Sequence, residues 1–195
     1  MDALVVVANP NPASYGHALA AAAADGLGAA GHTVTLLDLY ADRFVAAMTA
    51  AERHAYHTSE PILDPQVAAS AELVQRCEIL VFVYPTWWSG LPAILKGWLE
   101  RVMVPGVGVR FRPNGRVAPG LPHVRRIVGI STYGSPRAYV AGVNDNGRRT
   151  LTRALRMSCG WRARPLWLGL YKMDARTDAD RAAFLTRVRD RMARL

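Results

Sequence analysis

Sulfur chemistry has little to work with in this chain. Its two cysteines, Cys77 and Cys159, lie far apart and form neither a CxxC pair nor a metal-binding cluster, which argues against thiol-redox and zinc chemistry. Free cysteine is among the most buried residue types, so both are expected in the core. No apolar run approaches the roughly 20 residues that cross a bilayer. The start, Met1-Asp2-Ala3-Leu4, lacks the basic opening and small-residue cleavage site of a secretory signal. A cytoplasmic protein without a membrane span is the expectation. Lysine is nearly missing too: only Lys96 and Lys172 contribute to the 24 basic residues, an arginine bias that, with the alanine-rich helices, reads as genome composition. Acidic residues number 15, leaving a net charge of +9. That surplus invites a nucleic-acid reading. The basic groups, such as Arg125/Arg126 and Arg148/Arg149/Arg153/Arg156, match no RRM, KH, helix-turn-helix or zinc-finger pattern. Nucleic acid is therefore not expected as a partner, and a phosphorylated cofactor is the better client for any anion-binding surface.

What is present is an ordinary globular composition, 195 residues with 51% hydrophobic, sufficient for one domain over residues 1–195 with a well-supplied core. Leu4 to Ala8 is an unbroken apolar run of strand formers, the mark of a strand covered on both faces in a parallel sheet. Thr33–Asp38, Ile79–Tyr84, Ile127–Ser131 and, more weakly, Arg162–Leu168 read as further strands. Helices are expected between them. The first is capped by Ser14, carries Leu19, Ala23 and Leu27 at four-residue spacing, and stops at Gly31. Others span about Asp64 to Arg76, the stretch from Leu91 with Pro92 in its first turn, Asn146 to Ser158, and the C-terminal stretch from Asp178. Alternating strands and helices imply an open parallel sheet with helices on both sides. Such sheets bind ligands beyond the carboxyl ends of their strands, so the loops after strands one, three and four are the ones to interrogate.

Three patterns lead nowhere. Gly26-Leu27-Gly28-Ala29-Ala30-Gly31 spells a dinucleotide-binding GxGxxG, but it ends a helix instead of opening one, so its amides cannot reach a pyrophosphate. Gly129-Ile130-Ser131-Thr132-Tyr133 lacks the second glycine of a serine-hydrolase elbow. His54 and His57 could share a helical face, yet no third ligand stands nearby and a solvated surface explains them. The loop after the first strand says more. Ser14, Tyr15 and Gly16 would place a hydroxyl and free backbone N–H groups at a helix N-terminus, where the macrodipole favours an anion. A plain capped helix stays open as the alternative. In Tyr84-Pro85-Thr86-Trp87-Trp88-Ser89-Gly90-Leu91-Pro92 two adjacent tryptophans occupy a turn at the end of a central strand. Both cannot enter the core, so at least one should line a pocket or interface that would suit a flat heteroaromatic ligand.

With these residues in hand, the chain resembles the flavodoxin-like NAD(P)H:quinone oxidoreductases, a family that includes mammalian quinone reductase and bacterial ancillary flavoproteins of potassium efflux systems. The resemblance rests on Ala8-Asn9-Pro10-Asn11-Pro12-Ala13-Ser14-Tyr15, on Asp38-Leu39-Tyr40 with Phe44, and on Tyr84-Pro85 through Trp98-Leu99-Glu100-Arg101-Val102. It implies a flavodoxin-like α/β three-layer sandwich with a five-stranded parallel sheet in the order 2-1-3-4-5. It also implies a flavin phosphate held by Ser14, Tyr15 and Gly16, with Asn9 and His17 close by. The isoalloxazine would be edged by Pro85, Thr86, Trp87, Trp88 and Ser89, and amides from Thr132, Tyr133, Gly134 and Ser135 would lie near its pyrimidine end. Two departures stand out. Asn9 occupies a position where the family usually has histidine, and the family's catalytic histidine has no counterpart in Val143-Asn144-Asp145-Asn146, although Tyr139 lies near the family's catalytic tyrosine.

The activity so implied is two-electron hydride transfer from NADH or NADPH through bound flavin to a quinone-like acceptor, by a ping-pong scheme in one shared pocket. FMN is the expected flavin, since little sequence follows the fifth strand to cradle an adenosine; FAD is the second option. A homodimer is implied, with Trp87, Trp88 or Tyr40 near its interface. The alternative function is an electron-carrier or regulatory flavoprotein serving another protein.

Overall fold

The apolar runs form strands that helices cover from both sides. The computed structural model describes residues 1–195. In it, β1 (Asp2–Val7), β2 (Thr33–Asp38) and β3 (Ile79–Pro85) are followed by a separate antiparallel hairpin of β4 (Val109–Phe111) and β5 (Val117–Pro119), then by β6 (Arg126–Thr132) and β7 (Arg164–Leu170). The five long strands make one parallel sheet in the order β2-β1-β3-β6-β7, which is the expected 2-1-3-4-5 once the hairpin is set aside. Val7 faces Val83 and Pro85 faces Thr132, so β1, β3 and β6 end close together and release their loops on one side of the molecule.

Strand alternation divides the interior in two. Leu4 and Val6 join a core of 26 buried residues beneath α3 (Pro65–Arg76) and α4 (Ala93–Val102). Ala3, Val5 and Val7 join a second, of 17, beneath α1 (Tyr15–Ala29) and α8 (Asp178–Met192). Each buried leucine, isoleucine or valine contributes roughly 1.5–3 kcal/mol of burial free energy. Cys77 and Cys159 are both in the first core as free thiols, and burial pushes each up to about 12, well away from the reactive thiolate. The glycine pattern that ends α1 has a packing role: a Cβ on Gly26 would collide with the backbone carbonyl of Arg189, so α8 can lie this close only over glycine. Ser14 caps α1, and Gly31, at φ 80°, ends it.

Several local expectations shift. Pro92 is the N-cap of α4 and not within its first turn. α2 (Ala50–Ala55) is a six-residue helix opened by a capping box between Thr49 and Glu52. It stops before His57, whose ring meets Tyr56 edge-on at 5.1 Å, so His54 and His57 share no helical face. The helix expected over Asn146–Ser158 is composite. α6 (Asn146–Arg149) passes into a π-helical turn (Thr150–Leu155) and then α7 (Arg156–Cys159). α5 (Arg137–Gly142) and the hairpin were not expected at all.

A buried ion cluster fixes α4, the helix behind the paired tryptophans. Arg101 is 3% exposed. Its guanidinium donates to Glu52 Oε1 at 2.8 and 2.5 Å, to Asp64 Oδ2 at 2.8 Å and to the Val45 carbonyl at 2.5 Å. Arg101 thereby ties α2 and the start of α3 to α4. The Arg101 hydrogen bond, then the Gln66 N–H, hold the Asp64 carboxyl below its ordinary range. Burial pushes Glu52 the other way, but the N–H of Thr49 and the Arg101 guanidinium outweigh it and the net direction is also down.

Candidate functional site

Helix-end physics accounts for the loop after β1. Asn9 Oδ1 accepts the Asn11 N–H at 3.0 Å, and Asn11 Oδ1 accepts the Ala13 N–H at 3.0 Å, successive Asx turns that swing the chain into α1. Ser14 Oγ accepts the His17 N–H at 3.4 Å and lies 3.0 Å from His17 Nδ1. His17 Nε2 is 2.7 Å from Asp38 Oδ2, at the end of β2. With Asp38 as acceptor, Nε2 carries the proton and the imidazole is locked between β2 and the cap. The N–H groups of Tyr15 and Gly16 have no acceptor in the chain and stand at the positive end of a 15-residue helix. A Cβ on Gly16 would lie 3.1 Å from Asn9 Nδ2, so the helix start and Asn9 close on one another. Tyr15 lends only its backbone here. Its hydroxyl donates to the Arg181 carbonyl at 2.8 Å, and burial, partly offset by the Arg181 charge, pushes it up to about 12.

The loop after β3 is a strained two-residue turn. Trp87 and Gly90 exchange backbone hydrogen bonds at 3.3 and 2.9 Å, and between them Trp88 and Ser89 take φ of 46° and 57°. Both lie in the left-handed region that glycine and asparagine normally fill. A tryptophan there is a genuine outlier and holds strain on the order of 1–3 kcal/mol. The result is to throw the indole of Trp88 fully into solvent, while Trp87 is 43% exposed. At the base of the turn the Thr86 N–H donates to the Thr132 carbonyl at 2.8 Å, and Thr86 Oγ1 is 2.8 Å from Ser131 Oγ, so β3 and β6 are joined one residue beyond the sheet.

The loop after β6 is tied down by the edge strand. The Tyr133 N–H donates to the Leu170 carbonyl, Met173 N–H to the Tyr133 carbonyl and Lys172 N–H to the Ser135 carbonyl. With the Tyr133 amide committed, the Gly134 and Ser135 N–H groups have no acceptor in the chain. The Tyr133 side chain turns inward. Its hydroxyl donates to Asp145 Oδ1 at 3.0 Å, and its ring stacks on Tyr171 at 4.5 Å and 13°. Burial first, then the neighbouring Asp145 charge, push its ionisation far upward, so it acts as a neutral donor. Asp145 is thus a buried acceptor in the segment where the family's histidine is missing.

Thr86, Trp88, Ser89, Gly134, Ser135 and Tyr139 line one cavity of about 290 Å³ at the carboxyl ends of β3 and β6. Tyr139 stands at its rim, 57% exposed. Pro85, Trp87 and Thr132 support these walls without lining them, and Asn9, Ser14, Tyr15, Gly16 and His17 form the separate cluster at α1. Two free amides and an exposed indole around a slot, beside two more free amides at a helix N-terminus, constitute a donor set for a flat acceptor-rich ring carrying a phosphate tail. A larger cavity, about 610 Å³ and rich in arginine, opens beside the starts of β3, β6 and β7, the end of a parallel sheet at which ligands are not expected.

The family model for the flavodoxin-like fold matches residues 1–186. The chain belongs to the flavodoxin-like fold family. Among its relatives, ribosyldihydronicotinamide dehydrogenase [quinone] of Pongo abelii is 30% identical over 162 residues, covering 74% of this chain and 69% of that one. NAD(P)H dehydrogenase [quinone] 1 of Cavia porcellus is 28% identical over 152 residues, covering 70% of this chain and 55% of that protein; the chain thus spans about half the length of that relative. Among solved structures, Smu.1420 from Streptococcus mutans UA159 superposes with a TM-score of 0.83 at 26% identity over 100% of both chains. An FMN-dependent NADH-azoreductase from Bacillus anthracis, solved with FMN, shares the fold at a TM-score of 0.73 and 14% identity, covering 99% of this chain and 98% of that one. The fold family read from the sequence is borne out, and the relatives carry the quinone-dehydrogenase names that the resemblance implied. Sequence reasoning missed Asp145 as a buried partner of Tyr133. The adjacent asparagine and aspartate, Asn144-Asp145, residues that tolerate positive φ, were the available signal.

Proposed function

We propose that this is a flavin-dependent oxidoreductase that takes electrons from NADH or NADPH and passes them to a small quinone-like acceptor. The observation that carries the reading is the slot itself: the uncommitted amides of Gly134 and Ser135 facing a strained, outward-thrown Trp88, at the carboxyl ends of adjacent parallel strands. The names of the quinone-dehydrogenase relatives support it. FMN is the preferred flavin and FAD the second option. Bound there, it would supply reversible two-electron hydride chemistry.

The protein's own residues hold, orient and polarise. Tyr15 and Gly16 N–H groups, with Ser14 and Asn9 beside them, would bind a phosphate. Trp88, Thr86 and Ser89 would wall the ring on one edge. Gly134 and Ser135 would present two N–H dipoles to the edge that gains negative charge on reduction, with no reorganisation needed because Lys172 and Met173 already fix the loop. Tyr139, exposed at the rim, would give a proton to an acceptor in the mouth. A homodimer in which Trp87, Trp88 and Tyr40 meet the partner belongs to this proposal, as does the organisation of residues 1–195 as one domain. A carrier or regulatory flavoprotein without a substrate of its own is the second reading, and the open slot favours the first.

The test is anaerobic titration of flavin-reconstituted protein with NADH and NADPH, followed near ~450 nm. Bleaching followed by recovery on adding a quinone is the expected result. A protein that takes up neither FMN nor FAD would refute the reading.

A further inference from the structure

We propose that the phosphate-bearing end of the electron donor, specifically the 2′-phosphate of NADPH, docks in an arginine-lined cavity next to the slot, and that the protein therefore prefers NADPH to NADH. The inference rests on the oxidoreductase reading above, and it names the donor for that same site.

The cavity, about 280 Å³, lies between α5, α6 and the π-helical turn, with Tyr171 at the end of β7 as one wall. Arg137, Arg148, Arg149 and Arg153 all line it. None forms an ion pair, and Arg148 does no more than lie 6.0 Å over the Trp167 ring. The lone carboxylate in the lining, Asp145, is buried and its Oδ1 already accepts from Tyr133. Four exposed guanidiniums around one hollow, with a single carboxylate among them, leave a net positive charge that an anion would neutralise.

The backbone is built to assemble this cluster. In a regular helix Arg149 and Arg153, four apart, share a face, whereas Arg148 and Arg153, five apart, do not. Hydrogen bonding at i→i+5 through Thr150–Leu155 widens the turn between Arg148 and Arg153, and both line the cavity. π-helical turns are costly and concentrate at functional sites, and here the gain is a third arginine on the same wall.

Position connects the cavity to the slot. The two hollows lie on either side of α5 and share Val140. Tyr133 backs the slot, and it joins the second hollow through its hydrogen bond to Asp145 and its stack on Tyr171. A dinucleotide whose nicotinamide end lies over the slot can pass across α5 and drop its far end among the arginines. The volume accommodates a phosphate with its ribose. A monoester phosphate carries about −1.5 to −2 charges at neutral pH, more than either single phosphate of the pyrophosphate bridge, and a concave pocket suits it better than an extended polyanion.

The experiment has a binding arm and a kinetic arm on FMN-reconstituted protein. By calorimetry, adenosine 2′,5′-bisphosphate should bind about tenfold or more tightly than 5′-AMP, and the margin should collapse in Arg149→Gln/Arg153→Gln, two exposed positions whose loss leaves the fold intact. In turnover, the same variant should raise KM for NADPH about tenfold while changing that for NADH less than about twofold. Equal binding of the bisphosphate and 5′-AMP, or a variant that loses both nucleotides alike, overturns the proposal. ADP binding as tightly as the bisphosphate also overturns it, since the pocket would then be reading a pyrophosphate such as that of FAD. If the bisphosphate binds through these arginines but neither nucleotide bleaches the flavin, the arginine site stands and the oxidoreductase reading falls.

Discussion

Replacing Arg101 with leucine removes four hydrogen bonds from the interior: two to Glu52, one to Asp64 and one to the Val45 carbonyl. More damaging is what it leaves, a Glu52 carboxylate 7% exposed and without a cation. Removing one partner from such a buried pair costs about 3–5 kcal/mol. A chain of this size loses about 2–4 °C per kcal/mol, so Tm should fall by roughly 6–20 °C in a circular-dichroism melt at pH 7. The direction with pH follows from the depressed folded-state values of Glu52 and Asp64. Stability from the cluster is fully present above the unfolded carboxylate range, about pH 4, and is lost as pH falls through the lower folded values. The gap between wild type and variant should therefore be widest near neutrality and close in acid. Glu52→Leu/Arg101→Leu, which buries no orphan charge, should recover part of the loss. A drop below about 3 °C at pH 7, or a gap that does not change with pH, would refute the reasoning.

Three further variants test the site's construction. Trp88→Asn/Ser89→Gly places the residues that the turn's positive φ angles favour, so Tm should rise by about 2–4 °C, equivalent to about 1 kcal/mol of released strain, while the slot loses its indole; an unchanged or lower Tm would show that the turn is not strained. Tyr133→Phe deprives the buried Asp145 of its donor and should cost about 1–3 kcal/mol in urea denaturation, with Asp145→Asn milder because its amide oxygen can still accept from the Tyr133 hydroxyl. Equal costs for the two variants would contradict that assignment.

The three central strands were legible because each is a nearly unbroken apolar, β-forming run, and covering both faces leaves no other home for Val5, Val81 or Val128; the edge strand β7, with Arg164, Pro165 and Gly169 in it, was the weaker signal and lies two residues later than its expected bounds. The hairpin of β4 and β5 gave no such signal. Its exposed Phe111 and Val117 are paired with each other and not with a core, so no periodicity marks them. α5 was hidden for a similar reason: in six residues it buries only Val140. The π-helical turn was illegible in principle, because a sequence with helical spacing reads the same whether one residue is accommodated by widening the turn or not. Of the candidate site, the turn-rich loop after β1 and the exposed paired tryptophans were readable, as turn chemistry and as aromatics with nowhere to hide. Which amides remain free was not, since that depends on the Leu170 carbonyl of β7, 37 residues on, accepting the Tyr133 N–H, a tertiary fact.

The order β2-β1-β3-β6-β7 also has a consequence for how the chain is made. Of the sheet's strands β1 is made first, yet its second neighbour, β3, is not complete until Pro85, and β3 waits in turn for β6, complete at Thr132. At roughly 5–20 residues per second, each central strand stands for several seconds with one hydrogen-bonding edge and both apolar faces unfinished. No early hairpin shelters them, because every pairing in the sheet is parallel and needs a crossover. Newly made chains should thus be clients of holding chaperones until β7 completes the sheet at Leu170, and truncations ending before β6 should be recovered in aggregates.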